Sequence, residues 1–217
     1  MIDPPQLAQA VIDGMADDAG SLTRSALAGG IGPGQVLEEG LLAGMRVVGE
    51  RFRDGQMFLP DVLASARAMK AGMDLLEPLL SACGVEPIGT VVIGTVKGDI
   101  HDIGKNLVAV MLRGAGFRVI DIGANAPADS FLAAAAEHRP QILAMSALLT
   151  TTMLQMERNM AAFRAAGLLE RVRVLVGGAA VTRRYAESIG AEYAANASDA
   201  VTCAFRIVGE AAVGASD

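Results

Sequence analysis

The stretch GTVKGDIHDIGKN, residues 94–106, holds His101, one of only two histidines in the 217-residue chain. Around it stand the carboxylates Asp99 and Asp102 and the glycines Gly98 and Gly104. A zinc site does not fit: structural zinc takes four Cys/His ligands and catalytic zinc takes three protein ligands. The chain has two cysteines, Cys83 and Cys203, far apart, and His138 is its other imidazole. A phosphate-binding loop fails too. Asp99 stands where that pattern wants its first glycine, and Asn106 replaces its Ser/Thr. Phosphoacceptor chemistry at Asp99 has no second residue to support it. A large preformed cofactor with one open axial metal position needs a single imidazole. A carboxylate two residues away would bond the other ring nitrogen, fix the tautomer and raise ligand basicity. Glycines would let the backbone pass close to a bulky ligand. A loop histidine bonded only to its neighbours is the ordinary alternative.

The elements around this stretch fall into two grammars. Residues 1–83 read as four amphipathic helices with short breaks. PPQLAQAVIDGMAD opens with proline in its first turn. SLTRSALAGG ends in glycines. Val36, Leu37, Leu41, Met45, Val48 and Phe52 recur at helical spacing, as do Leu59, Val62, Leu63, Ala66, Met69, Met73, Leu76 and Leu80. This predicts a small antiparallel bundle. CGVEPIG, residues 83–89, reads as a linker. Beyond it, strands are predicted at 90–95, 118–122, 141–146, 172–176 and 191–194, and helices at 104–115, 127–138, 152–166, 181–189 and 198–212. Five strand–helix units in succession predict an α/β fold with an open, parallel five-stranded sheet of flavodoxin/Rossmann-like type. The domains are thus 1–83 and 84–217. Such sheets bind ligands outside the carboxyl ends of their strands. His101, residues 146–152 and residues 177–179 follow the first, third and fourth strands, so three loops converge on one edge.

Composition narrows the partners. Net charge is −6 with no basic block, which argues against nucleic acid and against a polybasic membrane anchor. Two isolated cysteines, no secretory leader pattern and no apolar run of membrane-spanning length predict a cytoplasmic protein.

GDIHDIGKN, followed by SALLTTTM and then GGAAVTRRYAESIGAEYAANASDAV, resembles the cobalamin-binding domain of vitamin B12-dependent methyltransferases. The Asp-x-His-x-x-Gly motif, the Ser-x-Leu segment and the Gly-Gly pair are its hallmarks. GMRVVGERFRDGQMFLPDVLASARAMKAGMDLLEPLL resembles the helical cap that precedes that domain in methionine synthase and in stand-alone corrinoid proteins. The resemblance covers almost the whole chain, and three motifs in order plus the cap are specific.

The resemblance implies cobalamin bound with its own base off cobalt and a protein histidine on. His101 would be the lower axial metal ligand. Asp99 would bond its ring, and Thr152, where methionine synthase has a serine, would complete a relay; helix capping is the plain reading of Thr150–Thr152. Ser146 would bond the buried base of the nucleotide tail, and Leu148 would line its slot. Gly98, Asp102, Ile103, Gly104, Thr150, Gly177, Gly178 and Ala179 complete the implied cofactor contacts. Turn chemistry is the plain reading of the glycines, and a solvated charge that of Lys105. His138 is expected to face solvent. Phe52, Leu59 and their neighbour Val62 match cap residues over the cobalt's upper face; bundle core is their plain reading.

The function so implied is a methyl carrier that cycles through cob(I)alamin and methylcobalamin, with cob(II)alamin as its oxidised lapse. A donor methyltransferase and an acceptor methyltransferase, thiol- or tetrahydrofolate-directed, would be separate chains, and a reductive activase a third partner. The rivals are the cobalamin module of a split methionine synthase, a radical-mutase cobalamin domain, a cobalamin-based sensor and a cofactor-free flavodoxin-like signalling module.

Overall fold

The structure, a computed structural model, describes residues 4–214. The chain divides into two compact units. One runs through Pro87 and takes in Gly114–Gly116; the other comprises Ile88–Arg113 and the chain from Phe117 onward.

The first unit is helical. It holds α1 (Pro4–Ile12), α2 (Ala16–Ala28), α3 (Pro33–Gln35), a π-helical run Val36–Leu42, α4 (Ala43–Arg53) and α5 (Leu59–Ala82). Residues 33–53 follow without a break, so four helical segments result, as the spacing predicts. The π-helical run was not visible in that spacing. It carries the buried residues Val36, Gly40, Leu41 and Leu42, and Gly40 within it and Gly44 at the start of α4 let the chain lie close to α1. A Cβ at Gly40 would stand 2.6 Å from Leu7, and one at Gly44 2.7 Å from the Ala8 carbonyl oxygen. At the start of α5, Asp61 reaches back to accept from the Phe58 N–H at 2.8 Å, half of a capping box. Val62, Met69, Leu76 and Leu80 are buried along α5 as expected. Leu63 is 36% exposed, because it falls about 100° off that stripe.

The second unit is a parallel sheet wrapped by helices. Its strands are β1 (Thr90–Thr95), β2 (Arg118–Asp121), β3 (Ile142–Ser146), β4 (Arg173–Gly177) and β5 (Glu192–Tyr193), in the order β2-β1-β3-β4-β5. Its helices are α6 (Ile103–Gly114), α7 (Ala128–His138), α8 (Thr150–Ala165), α9 (Arg183–Ile189) and α10 (Ala197–Gly214). Val91, Val92 and Ile93 are buried on both faces of β1, as a central parallel strand requires. Phe131, Met156 and Phe163 fill the core on one face. β5 is shorter than predicted: Ala194 still donates its N–H to the Val176 carbonyl of β4, but the Ala195 N–H turns to the Asp199 side chain.

After β1 the chain passes to β2 on one side, then crosses to β3 on the other. The order therefore reverses between β1 and β3, and the crevice beyond their carboxyl ends is where such sheets take ligands. Among the described residues no helix is long and apolar enough to cross a membrane.

Candidate functional site

β1 hands over to the site loop at Val96, whose N–H donates to the Ser146 carbonyl at 3.0 Å. The backbone then turns tightly. Asp99 N–H donates to the Val96 carbonyl at 3.1 Å, and Gly98 takes φ +84, a left-handed value open to glycine. The turn buries the Asp99 side chain completely while leaving the His101 side chain 48% exposed.

Every oxygen of Asp99 is engaged. Oδ1 accepts from the His101 backbone N–H at 3.0 Å and lies 2.7 Å from His101 Nδ1. Oδ2 accepts from the Leu148 N–H at 2.8 Å and from Thr152 Oγ1 at 2.7 Å. The Thr152 hydroxyl also lies 3.0 Å from the Leu149 carbonyl. It has one proton, and that carbonyl already receives the N–H groups of Thr152 and Met153, so the proton goes to Asp99. Burial by itself would raise the Asp99 carboxyl. The bonds from Thr152, from the His101 and Leu148 backbones and from the His101 ring outweigh it and hold the group well below the usual carboxylate range. An ionised Asp99 only accepts, so Nδ1 carries a proton toward it. In the neutral ring Nε2 then keeps its lone pair.

The helix-capping reading of Thr152 yields to this geometry, since Leu149, at the N-cap, has no side-chain bond and Thr152 bonds Asp99. Thr150 is exposed at the start of α8. Ser146 is half-buried and pairs in register with Thr95 and Gly177. Leu148 joins the relay through its backbone and leaves its side chain 41% exposed. Asp102 stays outside the relay; its carbonyl accepts from Asn106 N–H at 2.8 Å as α6 begins. Gly178 has φ +120, and a Cβ there would lie 2.1 Å from the Ala147 carbonyl oxygen. The β3 and β4 loops therefore require that glycine for their own contact. Gly177 is similarly confined by the Ala194 carbonyl at 2.9 Å, Ala179 is exposed, and a Cβ at Gly104 would meet open space.

In the helical unit, Phe52 and Leu59 are half-buried and Val62 is fully buried. Phe58, 69% exposed beside Leu59, is the large apolar surface that helical spacing overlooks, because it precedes the first turn of α5. Two charged-residue expectations change. Lys105 is 2% exposed, with Nζ 2.5 Å from Asp121 Oδ2 and 2.6 Å from Asn106 Oδ1. The His138 side chain is only 20% exposed, beside Glu137 at 3.6 Å. Asn125, which accepts from the Gly98 N–H at 2.7 Å, was also missed; its partner is 27 positions away, beyond the reach of a local motif.

Among the described residues no group of three or more His, Cys, Asp or Glu could hold a metal ion. A metal at His101 must arrive with its other ligands. The loops suit such a group. Ile100 and Ile103 flank His101 at 76% and 72% exposed, and Leu148 and Leu149 add further bare apolar surface on the β3 loop. One free imidazole nitrogen, apolar side chains to cover and open space at Gly104 fit a bulky cofactor that would bring a metal's remaining ligands with it.

Comparison with known proteins agrees. A family model described as "B12 binding domain" matches residues 89–211, and a second with the same description matches residues 5–77. The trimethylamine corrinoid protein 1 of Methanosarcina acetivorans is 45% identical over 196 residues, covering 89% of this chain and 91% of that protein. A corrinoid protein of Desulfitobacterium hafniense is 41% identical over 209 residues, covering 94% and 97%. The solved methanol:cobalamin methyltransferase complex of Methanosarcina barkeri superposes with a TM-score of 0.86 at 33% identity, over 94% of this chain and 78% of that one. With both halves matched and relatives spanning nearly its full length, the chain belongs to the B12-binding corrinoid proteins of methyltransferase systems, and its cofactor is a corrinoid.

Proposed function

We propose that this corrinoid protein holds cobalamin with the cofactor's own base displaced and His101 as lower axial ligand. In this state it carries a methyl group between a donor methyltransferase and an acceptor methyltransferase on separate chains. The observation that supports the reading is the His101–Asp99–Thr152 relay, which ties Nδ1 down at 2.7 Å and leaves Nε2 free on an exposed ring.

When bound, the corrinoid supplies a metal centre able to accept and release a methyl group. The chain's residues supply orientation. Asp99 selects the tautomer that presents Nε2 and stabilises positive charge on the ring. Thr152 and the Leu148 N–H keep Asp99 ionised without solvent. In this reading Ser146, Leu148, Gly177 and Gly178 would line the path of the nucleotide tail, and Phe52, Leu59 and Val62 would be the cap residues. On the same reading donor and acceptor chemistry falls to partners, and reduction of oxidised cofactor to an activase. Relatives named for trimethylamine make a methylated amine the first donor to assay, with a thiol as acceptor.

Electron paramagnetic resonance of the cobalt(II) form, with ¹⁵N-histidine, tests the ligand. Wild type should show coupling to one histidine nitrogen, and His101→Ala should lose it while keeping part of its corrinoid. Unchanged coupling in His101→Ala would place the ligand elsewhere.

A further inference from the structure

The loop that carries Asp99 and His101 is also gripped from a side that the relay does not use. Between β2 and α7 the chain runs along the exit of β1. Ile122 N–H donates to the Ile93 carbonyl at 2.9 Å, Thr95 N–H to the Gly123 carbonyl at 2.9 Å, and Ala126 N–H to the Thr95 carbonyl at 2.8 Å. Val96 and Ala126 add an isolated parallel bridge. Asn125 sits inside this segment at φ 55, in the left-handed region that asparagine tolerates. Its backbone N–H donates to the Asp99 carbonyl at 2.9 Å, and its side-chain Oδ1 accepts from the Gly98 N–H at 2.7 Å. One residue thus holds both sides of the Gly98–Asp99 step. The segment is anchored at its start as well: Asp121 Oδ1 accepts from the Gly123 N–H at 2.9 Å, while Oδ2 takes the buried Lys105 ammonium.

We infer that Asn125 is a positioning residue for the axial imidazole, its side-chain oxygen fixing the Gly98 peptide and, through Asp99, the direction of the His101 ring. The functional meaning rests on the ligand assignment to His101; the positioning itself is a property of this chain alone. Gly98, without a Cβ and at positive φ, is the loosest joint in the loop. The Asp99 side chain is short, so the backbone at residue 99 decides whether Oδ1 meets the ring while Oδ2 meets Thr152 and Leu148. An acceptor on the Gly98 N–H removes freedom at that joint. Asparagine at positive φ also serves ordinary turns. The turn role is kept in Asn125→Gly, which leaves the left-handed backbone open while it removes the side-chain acceptor.

The test uses the full chain with ¹⁵N-labelled backbone and histidine, by nuclear magnetic resonance before and after loading with hydroxocobalamin. His138 is the internal control, since the chain has two histidines. In Asn125→Gly the Gly98 amide should exchange about tenfold faster, the factor expected for a lost hydrogen bond. The His101 Nδ1–H signal should broaden or move toward an ordinary position while His138 stays put. Loaded Asn125→Gly should keep its corrinoid but show histidine coupling in a smaller fraction of its cobalt(II) form. Asn125→Asp, whose carboxylate accepts the same N–H, should restore the amide and ring signals. An unchanged Gly98 amide and His101 ring proton in Asn125→Gly would overturn the inference, as would a change equally large at His138. Wild-type cobalt(II) without histidine coupling would instead overturn the ligand assignment, and the ring-proton comparison in the unloaded chain would still decide the role of Asn125.

Discussion

Asp99 is an ionised carboxylate with no solvent exposure. It keeps its charge because four close donors point at its two oxygens, at 2.7–3.0 Å. A lowered folded-state pKa has a definite thermodynamic sign. The contribution is fully present above the unfolded carboxylate value near 3.8 and is lost as pH falls through the lowered native value. Below about pH 3.8, wild type should therefore lose stability progressively from this group. Asp99→Asn has no such proton to take up. Urea midpoints near neutrality and at about pH 3 should therefore differ more in wild type than in Asp99→Asn; parallel losses would show that Asp99 titrates normally.

Two glycines of the site loops separate the demands of an element from those of a ligand. Gly178 is dictated by the fold, because a Cβ there strikes the Ala147 carbonyl of the neighbouring loop. Gly104 lies in the first turn of α6, where nothing stands within 4 Å of an added Cβ. As a helix residue it costs stability: Gly104→Ala should stabilise the unloaded protein, by at most about 0.5–1 kcal/mol because the position is in the first turn. Corrinoid binding should weaken in the same variant if the cofactor passes over that backbone. Thermal melting of the unloaded chain and titration with hydroxocobalamin read the two effects apart. Greater stability with unchanged affinity would leave Gly104 without a role toward the cofactor.

At the scale of the whole molecule, the helical unit and the sheet unit each match a B12-binding family model. The sheet unit has one reversal of strand order, hence one crevice of this kind, and one half-exposed imidazole at its mouth. The chain should therefore bind one corrinoid, and protein purified from cobalamin-fed cells should be pink to red. Cobalt content per chain by mass spectrometry checks it. A protein that stays colourless after reconstitution with hydroxocobalamin would exclude this site.

The order of elements, the parallel sheet and the place of His101 were legible in the sequence because each rests on local patterning. Buried runs such as TVVIG define central strands, and a motif at a strand exit lands on the ligand edge of any such sheet. The pairing of Asp99 with His101 was legible too, being two positions long. What only the tertiary structure decided lies across loops or across faces. Thr152, to which the family resemblance pointed and local patterning did not, meets Asp99 from 53 positions away. Lys105 was buried against Asp121 where its charge alone predicted solvent. Asn125 was placed on Gly98, the π-helical run interrupted an ordinary helical spacing, and Gly178 was required by a neighbouring carbonyl. Hydrophobic periodicity records which face of an element is covered. It carries no record of which distant backbone or polar atom does the covering, and that is settled only when the loops pack.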